Sequence, residues 1–198
     1  MGAERHDRRE QAAPGGYASG PDAHLEATSS ALAAAEHARS LILVEGISDQ
    51  IAVETLAARL GRDLAAEAVV VVPIGGAHAI ARFLTRFGPE GADYALSGLC
   101  DQGEEQFVRR ALQAAGFGEV HTRTELEQNG FFVCERDLED ELIRASGRET
   151  IEALLDAQGD LDSFRTLQKQ PAWRDHNFDA QIRRFFGAGA RRKLRYAN

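Results

Sequence analysis

The chain has few of the residues that build covalently pinned or metal-pinned miniatures: among 198 residues there are two cysteines, Cys100 and Cys134, one methionine and one tryptophan. Two cysteines cannot form a disulfide framework, and no His/Cys spacing offers a zinc site. No apolar run approaches the roughly 18 residues of a membrane span. The polar N-terminus MGAERHDRREQAAPGGYASGPDAH also lacks the hydrophobic stretch of a signal peptide. These absences point to a cytoplasmic location and no membrane partner. Positive charge is in short supply too. Lys and Arg number 23 against 31 Asp and Glu, a formal net charge of -8. That balance excludes a protein that holds nucleic acid by bulk positive charge alone. Any nucleic-acid partner must therefore meet a local basic patch or a bound metal ion.

What remains, 43% hydrophobic and 27% charged, is the composition of one globular domain with a sizeable core. Residues 1–24 mix Pro14, Gly15, Gly16, Gly20 and Pro21 with charges and lack periodic apolar positions, so they read as a disordered tail. His24 to Arg39 is Ala-rich and predicts a lead-in helix with Leu25, Leu32 and Ala35 near one face. A strand-helix alternation follows. Leu41 to Gly46, Ala68 to Gly76, Asp93 to Asp101 and Gly130 to Asp137 are short apolar runs, each followed by a helical period. Parallel strands need crossover connections, so the chain predicts an α/β fold: a four-stranded, mainly parallel sheet flanked by helices. That unit covers 25–147 with its lead-in helix. Residues 148–198 read as a helical extension with a basic end, GARRKLRYAN.

Acids stand at three of the four strand ends, where open parallel sheets bind ligands. Glu45 closes the first run, with Asp49 four residues on. Asp101 closes the third, followed by Gly103, Glu104 and Glu105. The fourth runs into Glu135, Asp137, Glu139, Asp140 and Glu141. Acids converging on one sheet edge repel unless a divalent cation neutralises them, and oxygen ligands suit Mg²⁺ or Mn²⁺. Against this stands capping: acids at helix N-termini stabilise the macrodipole without any function, and Asp49, Glu104 and Glu105 are open to that reading. Glu45 and Asp101 follow apolar strand residues, where an unpaired carboxylate is costly to bury, and are the stronger site candidates.

In this order and spacing LVEGISD, PIGG, GLCDQGEE and DLEDEL resemble the Toprim domain, in the version found in the overcoming-lysogenization-defect (OLD) family of nucleases. The resemblance spans about residues 40–145. It implies a Toprim-like Rossmannoid fold and a metal-dependent nuclease acting on nucleic acid, DNA ahead of RNA, through one or two divalent ions. By motif it assigns Glu45 and Asp49 to the first acidic cluster, Asp101 to the aspartate motif, and Asp137 and Glu139 to the later cluster. It also implies a late basic residue completing the site, for which Lys193 is the first choice and Arg192 the second. Glu45 is open to the role of ligand or of base. The usual Asp-x-Asp reads Asp101-Gln102-Gly103 here, so the second aspartate is absent, and whether Glu104 substitutes stays open. Nothing before residue 40 resembles a Walker A loop, so an ATPase is expected only as a separate partner.

Other readings compete. A nucleotidyl transferase would be accompanied by a zinc motif or polymerase domain, and neither is present. A phospho-receiver-like regulatory module would use Asp101 as acceptor and a lysine at a later strand end, and no such fifth strand is seen. A non-catalytic module binding metal and phosphate is compatible with the lost aspartate. Gly75-Gly76 could bring backbone N–H groups to a phosphate, although an ordinary strand-to-helix turn is the simpler reading. Trp173, Phe178, Phe185 and Phe186 are expected in core positions of amphipathic helices rather than as base-stacking platforms.

Overall fold

The computed structural model describes Tyr17, residues 22–188, Tyr196 and Ala197. Four strands, β1 (Ser40–Val44), β2 (Val69–Pro73), β3 (Ala95–Asp101) and β4 (Phe131–Cys134), form one sheet in the order β2-β1-β3-β4 with every pairing parallel. The predicted α/β class and strand positions are therefore present. The order also shows what spacing cannot: the chain steps from β1 to β2 on one side, then returns across β1 to place β3 on the other. Connections from adjacent strands diverge at such a reversal and open a crevice at their carboxyl ends. Here the reversal lies between the ends of β1 and β3.

Alternation along the strands divides the core. Leu41 and Leu43 of β1 and Val72 of β2 face a large cluster with Ala31 and Ala35 of α1 (Ala23–Ala35). The same cluster takes in Phe83 and Phe87 of α3 (Ile80–Phe87) and Val108 and Leu112 of α4 (Glu105–Ala114). Val44 and Val71, one residue out of phase, turn to the other face. There α2 (Ile47–Arg59), which contacts β1 and β2, buries Ile51 and Ala52. Helix α1 seats itself through alanines at four-residue spacing, Ala23, Ala27, Ala31 and Ala35, while Leu25 is 60% exposed. The expected Leu25 face is thus corrected: small side chains let α1 lie close against β2, where Thr28 Oγ1 donates to the Pro73 carbonyl at 2.6 Å. The helix also begins at Ala23, just inside the segment expected to be tail; the rest of that tail, apart from Tyr17 and Asp22, lies outside the described residues.

A short helix, α5 (Arg123–Gln128), completes the crossover to β4 and was not anticipated from the sequence. Its signal was present as Thr122-x-x-Glu125, a capping box in which Glu125 N–H donates to Thr122 Oγ1 at 3.2 Å and Glu125 Oε2 accepts from Thr122 N–H at 2.9 Å. Helix α6 (Leu138–Ala157) bends at Gly147, whose φ of 72° breaks the helical run at the point where two helices were expected. With α7 (Leu161–Gln168) and α8 (Phe178–Phe186) it buries a second cluster of Ile143, Ile151, Leu155, Phe164, Ile182, Phe185 and Phe186, with Phe178 at its margin. The core reading of these three phenylalanines holds. Trp173 is half-buried beside His176, ring centroids 5.0 Å apart, with the Arg184 guanidinium 5.8 Å from its ring.

One position ties the two central strands together. Gly98 of β3 pairs with Leu43 and Phe131, and a Cβ there would stand 2.8 Å from the Leu43 carbonyl oxygen and 2.9 Å from the Phe131 ring. Gly98→Ala is expected to cost on the order of 1–3 kcal/mol through overpacking. Gly103→Ala, where a Cβ meets nothing within 4 Å, should change stability by less than about 0.5 kcal/mol. Paired thermal melts of the two variants check this: equal midpoints would mean that β3 is not held this closely against β1 and Phe131.

Candidate active-site cleft

At the strand reversal a cleft of about 430 Å³ is lined by Glu45, Asp49, Asp101, Glu104 and Asp137, along with Gly75, Gly76, Cys100 and Cys134. Its floor is fixed by backbone bonds. Ile74 N–H donates to the Val44 carbonyl at 2.9 Å, and the Gly75 and Gly76 N–H groups both donate to the Glu45 carbonyl at 3.1 Å. Only glycine accepts the φ values of 79° and 108° that this requires without strain. These two N–H groups therefore close the turn against β1, and the ordinary-turn reading applies rather than a phosphate cradle.

Among the sequence candidates, Glu45 and Asp101 emerge from neighbouring parallel strands at the same edge, as predicted. Glu45 does not have the burial that its apolar strand context implies: it is exposed, lies one residue beyond β1 and leans into the cleft instead of the core. Asp101 is half-buried, and its carboxyl is pushed up to about 6 by desolvation and then by the charges of Glu45, Asp137, Glu104 and Asp49. Glu104 is raised as well, by burial and by Glu45, with His78 opposing. His78 rests against the Phe107 ring, centroids 5.1 Å apart, on the 3-10 turn Ala77–Ala79.

Two of the predicted ligands also serve the backbone. Asp49 Oδ2 accepts from Gly46 N–H at 2.9 Å at the head of α2, and Asp137 Oδ1 accepts from Asp140 N–H at 2.7 Å at the head of α6. Glu139 does not line this cleft; it lies with Ser48, Asp49 and Leu138 in a neighbouring hollow that Tyr196 and Ala197 also border. The remaining acids are occupied elsewhere. Glu105 pairs with Arg123 at 2.7 Å and Arg109 at 3.7 Å, Glu141 pairs with Arg144 and accepts the Glu135 N–H at 3.0 Å, and Asp140 pairs with Arg183. Lys193 and Arg192 lie outside the described residues.

The sequence pattern of the overcoming lysogenization defect protein-like Toprim domain matches residues 37–95. Over these residues the chain is similar to the OLD-like Toprim domain, and its fold is that of OLD C-terminal regions. The C-terminal region of the Xanthomonas campestris pv. campestris OLD protein is similar over 81% of this chain and 84% of its own, with a TM-score of 0.59 and 24% identity. A second structure of that region gives 0.52 and 26% over 83% of each chain. The C-terminal region of the Burkholderia pseudomallei OLD protein gives 0.58 and 18%, covering 81% of this chain and 86% of its own. No curated protein matches the chain. Among the described residues no helix is long and apolar enough to cross a membrane.

The cleft fits a hard divalent cation in donor type and in charge: five carboxylates line it, and burial, together with the charge of the other four, raises Asp101 well above the usual carboxylate range. Among the described residues no three His, Cys, Asp or Glu side chains are drawn together closely enough to grip an ion, so ligation would require carboxylate rotation. The two thiols behave differently. Burial, helped by surrounding negative charge, pushes Cys100 up to about 12 and Cys134 to about 11, so both are protonated at neutral pH and neither is an activated nucleophile.

The raised Asp101 acid has a sign that can be measured. Because its folded value of about 6 lies above the model-compound value of 3.8, the native state binds more protons than the unfolded state between those limits. Stability from this group is present below pH 4 and is lost as pH rises through 6. Asp101→Asn should therefore melt above wild type at pH 7, with the difference closing as pH falls to 4. A difference that is constant across this range would mean that neither burial nor the four neighbouring carboxylates raise Asp101.

Proposed function

We propose that this Toprim cleft hydrolyses phosphodiester bonds in nucleic acid with one or two Mg²⁺ or Mn²⁺ ions. The observation that carries the reading is the convergence of acids from three strand ends on one cleft, with Asp101 raised to about 6 by burial and by their charge. When bound, the metal would supply Lewis acidity that polarises the phosphate and lowers the pKa of the attacking water. Glu45 and Asp101 act as the principal ligands. Asp137 and Asp49 contribute the oxygen that backbone capping does not use, and Glu139 reaches the site from the adjoining hollow. Glu45, exposed at the mouth of the cleft, is also placed to receive the proton of the attacking water. DNA is the preferred substrate, with an ATPase as partner.

Lys193 completes the arrangement by offsetting charge that develops on the phosphate, with Arg192 as the alternative. Chain geometry supports this. Tyr196 is anchored by stacking on Phe186, centroids 4.4 Å apart, and by donating to Asp160 Oδ2 at 2.7 Å. It borders the same hollow as Asp49 and Glu139, and the three-residue span back to Lys193 covers at most about 11 Å. A binding-only module is the second reading. It is favoured by one observation, that Asp49 and Asp137 already engage backbone N–H groups.

Incubation of the chain with plasmid, linear DNA and RNA in Mn²⁺ or Mg²⁺ tests the proposal. Cleavage should require metal and fall by more than about 100-fold in Glu45→Ala and in Asp101→Ala. Metal binding by calorimetry without cleavage of any substrate would select the binding-only reading. For the basic residue, Lys193→Ala should lower turnover far more than affinity across a salt series, because only differential stabilisation accelerates chemistry. Unchanged turnover in both Lys193→Ala and Arg192→Ala would remove the basic end from the mechanism.

A further inference from the structure

We infer that Arg183, on helix α8 of the C-terminal extension, is a positioning residue for the acidic cleft and makes the extension part of the cation site. This rests on the reading of Asp137 as a ligand. The connection runs through three side chains. The Arg183 guanidinium pairs with Asp140 Oδ1, both side chains being largely buried at 21% and 17% exposure. The other Asp140 oxygen lies 3.5 Å from Arg144 Nε, and Arg144 also spans Glu141 at 2.5 Å and Glu135 at 3.4 Å. Asp140 is thus held from two sides at the first turn of α6, and its backbone N–H is the group that Asp137 Oδ1 accepts at 2.7 Å. Asp137 lines the cleft and adds to the charge felt by Asp101. A carboxylate fixed through one oxygen has a defined direction for the other, so the orientation of Asp137 follows from the seat of Asp140, which Arg183 sets from 43 residues along the chain.

The residues chosen point away from simple charge balance. Arg144, on α6 itself, already offsets the acids of that turn, and Arg183 comes from a helix whose buried apolar side chains, Ile182, Phe185 and Phe186, serve the second core. A merely cohesive surface pair would contribute only about 0–1 kcal/mol. A guanidinium drawn from the second core to the head of α6 instead couples that core to the cleft, in the way that supporting groups orient ligands in metal sites.

The two explanations predict opposite signs. Removing a cation beside an acidic site favours divalent binding by electrostatics alone, whereas loss of positioning weakens it. Mn²⁺ binding to the full chain, followed by calorimetry, is therefore compared in wild type, Arg183→Gln and the charge-compensated double variant Arg183→Gln/Asp140→Asn. Weakening of about 10-fold in both is expected, with partial recovery in Arg183→Lys. Unchanged or tighter binding in Arg183→Gln overturns the inference, as does wild-type affinity in the double variant, because the site would then not depend on the Arg183–Asp140 pair. Should Arg183→Gln lose its cooperative melt, Arg183→Lys decides: it keeps the charge but not the fork, and wild-type affinity there overturns the inference. If wild-type chain binds no Mn²⁺, or binds it equally well after Asp101→Ala, the proposed function fails and takes this inference with it. Intact, Asp101-dependent binding that ignores Arg183 removes the inference alone.

Discussion

Like charge crowded onto one sheet edge is the constraint that organises this molecule. The order β2-β1-β3-β4 brings the ends of β1 and β3 together, and with them Glu45 and Asp101; the loop after β4 adds Asp137, and the turn after β3 adds Glu104. The fold disperses part of the resulting repulsion. Asp49 and Asp137 give oxygens to helix-head N–H groups, Glu105 is drawn away by Arg123, and Asp140 and Glu141 are balanced by Arg183 and Arg144. Among the described residues no basic side chain forms an ion pair with Glu45, Asp101 or Glu104, and burial together with this uncompensated charge pushes the Asp101 carboxyl up to about 6. Repulsion maintained at one place while its surroundings are neutralised is what separates a site from a solvated acidic surface.

Much of the fold was legible because its signals are local. Val69 to Val72 in an unbroken run, a glycine pair after it and a helical period beyond it specify strand, turn and helix with little need of tertiary information. Helix α5 escaped because six residues offer too little periodicity, although Thr122 and Glu125 announced its start. On α1, Leu32 and Ala35 pack into the core as expected and Leu25 alone departs, for a different reason. Leucine marks a buried face only where the neighbouring surface leaves it room, and against β2 the close approach selects alanine.

The site divides along the same line. That acids would gather at strand ends could be read from their spacing, but how they differ from one another could not. Glu104 and Glu105 are adjacent in sequence, yet one faces the cleft and the other is committed to Arg123 and Arg109, a distinction set by helical rotation and by a residue 18 positions later. Glu45 was chosen for a burial it does not have. Its place in the cleft comes from strand order, which no short-range pattern encodes. The pairing of Arg183 with Asp140 lay further out of reach, since it joins two helical units that sequence treats separately.

The clamp on the Glu45 carbonyl sets how the cleft can respond to whatever enters it. With Gly75 and Gly76 both bonded to that oxygen, the main chain at the mouth of the cleft has little freedom left, while the exposed side chain beyond it keeps all of its torsions. Ordering a glutamate costs up to about 2 kcal/mol in rotamer entropy. On the proposed reading, capture of an ion at this position would be an ordering event confined to one side chain, which favours quick exchange over a tenacious hold. The long tether would also let one rigid backbone adapt to ions of different radius without moving a strand.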